Sequence, residues 1–132
     1  MNHRSIGQTV ALVFGAIYLA VGVAGFLPFL GGTASQTSSN LLGLVPINLL
    51  HNVIHALIGI AGLAAATSLV RARVFNQTVG VVLVALGLVG VVLSNPLGVI
   101  PIGGFDIVIH LLTGSVLAYF GFTMPVALRR AA

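Results

Sequence analysis

Four long apolar segments fill almost the whole of this 132-residue chain. Each is about 20 residues long, which at 1.5 Å of helical rise per residue matches the hydrocarbon thickness of a bilayer. The chain is 58% hydrophobic and 5% charged, with one acidic residue, and this is too little polar surface to cover a water-soluble globule. We therefore predict an all-α integral membrane protein, one domain over 1–132, with transmembrane helices at 7–30, 47–70, 74–94 and 105–124.

The five arginines are distributed unevenly between these segments. Arg4 precedes the first segment, Arg71 and Arg73 separate the second from the third, and Arg129 and Arg130 follow the fourth. The other two loops carry no positive charge, so all five arginines are expected on one side of the membrane. The positive-inside rule makes that side the cytoplasm and predicts that both termini are cytoplasmic. It also accounts for the basic net charge without a nucleic-acid partner.

The second half of the sequence repeats the pattern of the first. Residues 40–55 align without a gap on residues 95–110 and share Asn, Gly, Pro, Ile and His in register. The tripeptide Gln-Thr-Val also opens both the first and the third segment. We assign two tandem helical-hairpin repeats, 7–70 and 74–124. Because each hairpin has the same orientation, a pseudo-twofold axis along the membrane normal should relate them.

Two polar pairs occupy equivalent places in the repeats, His51 with His55 and Asp106 with His110. Residues four apart share one face of a helix, so each pair points in a single direction. His55 and His110 lie too deep to reach water easily, whereas the outer pair can approach the surface. Polar side chains at this depth tend to face the bundle interior. If the axis brings the second and fourth helices together, the four side chains form one cluster near the outer face.

This cluster allows more than one kind of site. Three imidazoles and a carboxylate suit zinc, iron, manganese or copper(II), which makes His51, His55, Asp106 and His110 candidate metal ligands. His55 and His110 alone can instead hold a tetrapyrrole, as the axial ligands of a b-type haem or with one ligating a chlorophyll magnesium. A structural interpretation is also open, in which Asp106 caps its helix or pairs with His51. The chain has no cysteine, and no residue is assigned as catalytic.

Three stretches of the sequence carry a resemblance to a known family. They are Gly25-Phe-Leu-Pro, the segment from Asn48 to Gly59, and Asp106-Ile-Val-Ile-His-Leu-Leu. Over most of its length the chain resembles small four-helix membrane proteins, common in actinobacteria and cyanobacteria, that are described as a domain of unknown function. The resemblance implies a location in the bacterial cytoplasmic membrane and implies no activity.

Three classes of function follow from these observations. The first is a membrane protein that binds a metal ion or a haem-like tetrapyrrole at the outer cluster. The second is a structural or accessory subunit of a homo-oligomer or larger membrane complex, with the histidines as internal hydrogen-bond links. The third, a proton-coupled carrier, is disfavoured because four short helices without a break leave little room for alternating access. A chain without glutamate also offers little to a hydrolase, so the sequence favours binding over catalysis.

Overall fold

A computed structural model describes residues 4–93 and 99–124 of the chain. Over these ranges it confirms the prediction of four helices, and it adds a small antiparallel β-hairpin that the sequence did not predict. The arginines Arg129 and Arg130 lie outside the described residues. The helices are α1 (Ile6–Ala24), α2 (Leu49–Ala65), α3 (Leu69–Val92) and α4 (Phe105–Thr123), and the hairpin strands are β1 (Ser39–Leu41) and β2 (Val45–Ile47).

The length and the apolar outer surface of the helices suit a lipid environment. Of the described helices, α1, α3 and α4 are each long and apolar enough to cross a membrane, and α2 is apolar but shorter at 17 residues. Large apolar side chains such as Val91 and Leu112 lie on the outer surface of the bundle. In water such a surface would be strongly unfavourable, so its natural solvent is the bilayer.

A side-chain cap marks the start of α1, and a short turn separates α2 from α3. Ser5 and Gln8 form a reciprocal capping box at the start of α1. Further along, α2 ends at Ala65, and α3 begins after a short turn, so Arg71 and Arg73 lie inside the first turns of α3 and not in a loop. Both arginines nevertheless stay at the end of the bundle where α1 starts.

Each pair of neighbouring helices packs closely because small residues face each other. A Cβ added to Gly15 on α1 would lie 2.7 Å from the backbone nitrogen of Leu63 on α2. On α4, a Cβ added to Gly114 would lie 2.7 Å from the backbone nitrogen of Val84 on α3. No larger side chain fits at these points without a backbone shift, as in other small-residue helix contacts in membranes. The result is two tight antiparallel helix pairs, α1 with α2 and α3 with α4.

Side-chain amides complete the end of the bundle that carries the arginines. Gln8 donates from Nε2 to the carbonyl of Ala66 at 3.0 Å, and Gln77 donates in the same way to the carbonyl of Gly121 at 3.0 Å. The buried Asn76 donates to a carbonyl in the first turn of α1 at 3.0 Å and so connects the two helix pairs. Carbonyls in the last turn of a helix have no partner within the helix, and Gln8 and Gln77 each satisfy one of them where water is scarce.

The opposite end of the bundle is closed by the connecting segments. Asn52 donates from Nδ2 to the carbonyls of Gly25 at 2.6 Å and Thr33 at 2.9 Å, which holds the first long loop against the start of α2. Asn48 donates to the carbonyl of Val99 at 2.8 Å and thereby links this region to the segment before α4. Residues 34–38 of this loop are exposed.

Candidate metal site

Two helices present the three histidines of the cluster to the bundle interior. His51 and His55 lie one turn apart near the start of α2, where the Asn48 side chain accepts the backbone N–H of His51 at 2.9 Å and caps the helix. His110 lies in the second turn of α4. All three imidazoles are buried. The backbones of α2 and α4 make little contact, so the two helices meet here through side chains.

The structure brings His51, His55 and His110 together. One candidate ligand atom from each of these residues lies within 4.8 Å of the others. The Nε2 atoms of His51 and His55 are 3.0 Å apart, and the His110 ring centroid is 6.2 Å from each of the other two. Nitrogen ligands of a tetrahedral zinc ion are separated by about 3.3 Å, since each Zn–N bond is about 2.0 Å. The group therefore needs only a small inward movement of His110 to enclose an ion.

The position of the proton on His51 and on His55 determines what can lie between the two rings. A neutral imidazole carries one proton, so one of the two facing Nε2 atoms must donate to the other. His51 is buried and also lies close to the backbone carbonyls of Pro46 and Pro101. Two rings that both carry their proton on Nδ1 would instead offer both Nε2 lone pairs to a metal ion between them.

Asp106 lies behind His110, outside the three-histidine group. Nδ1 of His110 lies 2.9 Å from the Asp106 backbone carbonyl and 3.2 Å from its carboxylate Oδ1. The carbonyl receives the well-aligned hydrogen bond, so neither carboxylate oxygen has a good partner, although the side chain is 0% exposed. This contact occupies Nδ1 and leaves Nε2 of His110 free for a ligand. The contact of Asp106 with His51 that was considered from the sequence is made instead with His110, at 3.2 Å.

The expectation that the outer polar pair can approach water is wrong. His51 is 2% exposed and Asp106 is 0% exposed. The reason is that Ile47 and Ile102, both fully buried, lie in the segments directly before α2 and α4 and close this end of the bundle. The cluster is therefore enclosed by protein on its outer side, although it is near the helix starts.

Tyr18 joins the cluster from α1, which the sequence did not predict. Its ring packs edge-on against His55 with centroids 5.1 Å apart. Its hydroxyl lies 2.8 Å from Thr113 Oγ1, and Thr113 in turn donates to the carbonyl of Ile109 at 2.7 Å, so Tyr18 is the donor of the first bond. Tyr18 and Thr113 thus link α1 to α4 through a side-chain hydrogen bond. The contact with His55 depends on how α1 lies against α2 and has no signal in the sequence.

A comparison with protein families identifies the chain. A family model described as a domain of unknown function, DUF4383, matches residues 8–123. The chain belongs to this family. The match confirms the resemblance to a family described as a domain of unknown function, and the three stretches that carry the resemblance all lie inside the matched residues. Searches of curated proteins and of solved structures found no match to this DUF4383 protein.

Two apolar cavities lie on either side of the cluster in this DUF4383 protein. One, of about 250 Å³, lies between α1, α4 and the β-hairpin and has His55 and Asp106 in its wall. The other, of about 180 Å³, lies between α2 and α3, and all three histidines contribute to its wall. The remaining walls of both cavities are mainly aliphatic. The polar cluster thus separates two spaces that suit apolar molecules.

Proposed function

We propose that this DUF4383 protein binds a divalent transition-metal ion through His51, His55 and His110. The observation that carries the proposal is the convergence of three buried imidazoles from two helices, with candidate ligand atoms within 4.8 Å of one another. Burying polar groups in a membrane bundle is costly unless they find partners, and a metal ion would supply one to each ring. Imidazole ligands suit zinc, iron and copper(II) best, with manganese as a further candidate.

Asp106 would support this ion from behind His110. A histidine that binds a metal commonly donates its other ring N–H to a carboxylate or a carbonyl, which orients the ring and raises its basicity. The His110 contacts to the carbonyl and carboxylate of Asp106 have this form. The negative charge of Asp106 would also offset part of the charge of the ion, and no other acidic residue in the chain can do so.

The contact between His51 and His55 favours a metal ion over a haem-like tetrapyrrole. If His55 were an axial haem ligand, its Nε2 would face the iron, but that atom contacts His51 Nε2 at 3.0 Å. A single ion between the rings requires the smaller rearrangement.

We also propose that both termini lie in the cytoplasm and that the cluster lies near the outer face of a bacterial cytoplasmic membrane. Arg4, Arg71 and Arg73 share one end of the bundle, because Gln8 near the start of α1 bonds to Ala66 at the end of α2. The positive-inside rule assigns this end to the cytoplasm. The histidines lie at the opposite ends of their helices.

The proposed hairpin repeats have support from matched contacts. Gln8 and Gln77 open the two Gln-Thr-Val tripeptides, and each donates to a carbonyl near the end of the following helix. The two acceptors, Ala66 and Gly121, are equivalent positions when the alignment of 40–55 on 95–110 is extended. A parallel pair of hairpins related by a pseudo-twofold axis would place these contacts at the same depth.

Elemental analysis of the purified protein tests the metal proposal. The protein is purified in a non-ionic detergent without a polyhistidine tag, and metal content and the visible spectrum are measured before and after dialysis against zinc, iron(II), manganese or copper(II). We expect a stoichiometric ion in the wild type and its loss in each of the variants His51→Ala, His55→Ala and His110→Ala. His3→Ala is the matched control, since this histidine is not one of the three proposed ligands, and should retain the ion.

Each other result has a definite meaning. A protein that stays metal-free in every dialysis would overturn the proposal and favour the accessory role. Unchanged metal content in a His55→Ala, His110→Ala double variant of wild-type stability would also overturn it. A Soret band that disappears in His55→Ala would replace the metal ion by a tetrapyrrole.

A further inference from the structure

The three proposed ligands adjoin an apolar cavity, which the remaining coordination position of the ion would face. Three protein ligands leave a tetrahedral ion with one open position. All three histidines line the cavity of about 180 Å³ between α2 and α3. Apart from them, Thr78 is the one polar residue in its wall, and isoleucine, valine and leucine side chains form the rest. A fourth ligand therefore meets an ion on one side and hydrocarbon on the other.

The charge around the ion determines what kind of ligand fits. Neutral imidazoles leave the two positive charges of the ion in place, and Asp106 is the only acidic residue in the sequence. One positive charge thus remains without a partner in a buried, apolar environment, where an unpaired charge is strongly unfavourable. A ligand with a single negative charge would neutralise it.

We infer that the site takes a long-chain monocarboxylate from the lipid phase, and this inference rests on the proposed metal site. The carboxylate would occupy the open position on the ion, and the hydrocarbon chain would lie in the cavity between α2 and α3. Hydroxide or chloride would satisfy the charge but would leave the aliphatic walls unfilled. The larger cavity is the poorer choice, because Asp106 in its wall would repel a carboxylate.

The cavity is open on the side that faces lipid. Val82 on α3 lines the cavity and is 47% exposed on the bundle surface. A chain-bearing ligand can therefore enter between the helices directly from the bilayer. Val81, its neighbour on α3, is exposed to a similar degree at 51% but does not line the cavity. The two valines offer a matched pair of positions for a test.

Titration of the cobalt(II)-loaded protein tests the inference. The visible absorption of protein-bound cobalt(II) changes when a ligand joins its coordination sphere, so decanoate, decanol and acetate are added separately in a non-ionic detergent. We expect decanoate to change the spectrum to saturation, acetate to require a concentration at least about tenfold higher, and decanol to have no effect. Val82→Phe should weaken the decanoate response about tenfold while retaining cobalt, whereas Val81→Phe should match the wild type.

The outcomes separate this inference from the metal proposal. If cobalt binds but decanoate leaves the spectrum unchanged, the carboxylate inference is wrong and the metal site stands. If acetate acts as well as decanoate, or the two phenylalanine variants behave alike, the chain does not lie in this cavity and the inference is also overturned. If cobalt does not bind to the three histidines, both proposals fall together.

Discussion

Replacing Asp106 by asparagine should stabilise the metal-free protein and weaken metal binding at the same time. The substitution keeps the size of the side chain and removes its charge. The carboxylate is 0% exposed, and neither of its oxygens has a well-aligned hydrogen-bond donor. In the metal-free protein this charge is a cost, whereas in the metal-bound protein it attracts the ion and orients His110. The two measured quantities should therefore move in opposite directions.

The size of both effects can be worked out from the surroundings of Asp106. A buried charge without a partner costs about 3–5 kcal/mol, and an unpaired neutral polar group costs about 1–3 kcal/mol. The favourable interaction of an anion with the start of α4, about 0.3–1 kcal/mol, is lost. The free energy of unfolding of the metal-free protein should rise by about 1–2 kcal/mol. Loss of a residue that orients a ligand should weaken metal binding about 10–100-fold.

The assay needs both quantities from the same preparation. Unfolding of the metal-free protein is followed by circular dichroism as sodium dodecyl sulfate is added to mixed micelles, and metal affinity is measured by competition with a chelator. Tyr18→Phe is the control, since it removes a buried polar group beside His55 without changing the charge. It should lower stability by about 0.5–1.5 kcal/mol and leave metal affinity unchanged.

Two results would refute the reasoning about Asp106. A metal-free Asp106→Asn protein that is less stable than the wild type, with unchanged metal affinity, would mean that the carboxylate has a partner in the native protein. A loss of affinity well beyond about 100-fold would mean that Asp106 binds the ion directly, as the sequence alone predicted.

Two further predictions concern packing and topology. Gly114→Ala should lower the free energy of unfolding by about 1–3 kcal/mol because its methyl group would meet the backbone of α3, whereas Gly103→Ala, with open space around it, should leave stability nearly unchanged. In cells, a membrane-impermeant maleimide should label Ser38→Cys from outside and Thr67→Cys only after permeabilisation, since both side chains are exposed at opposite ends of the bundle and the chain has no native cysteine. The reverse labelling pattern would contradict the proposed orientation.

The number of helices and the pairing of polar residues could be predicted from the sequence because both depend on local pattern. Apolar length determines how many times a chain can cross a bilayer, and a spacing of four determines which side chains share a face. Helix ends were less predictable. The first segment was expected to continue to residue 30, but α1 ends at Ala24 and a short 3₁₀ turn begins at Pro28, where proline cannot continue the backbone hydrogen bonds.

The role of Asp106 shows where prediction from the sequence reached its limit. Its position one turn before His110 indicated correctly that it belongs to the same polar cluster. That spacing does not distinguish a carboxylate that faces His51 and His55 from one that contacts His110 on the side away from them. The choice depends on the rotation of α4 and on which Asp106 oxygen Nδ1 of His110 reaches, and both are set by packing against α3.

By itself, the sequence determined that lipid surrounds this protein, that the chain forms four helices, and which residue types are available for a site. Composition and apolar length are sums over the chain, so they do not depend on how the helices meet. The tertiary structure decided that His51, His55 and His110 converge while the backbones of α2 and α4 stay apart, and that the connecting segments seal this cluster from water. These are distances between residues far apart in sequence, so they depend on how the helices and connecting segments pack together.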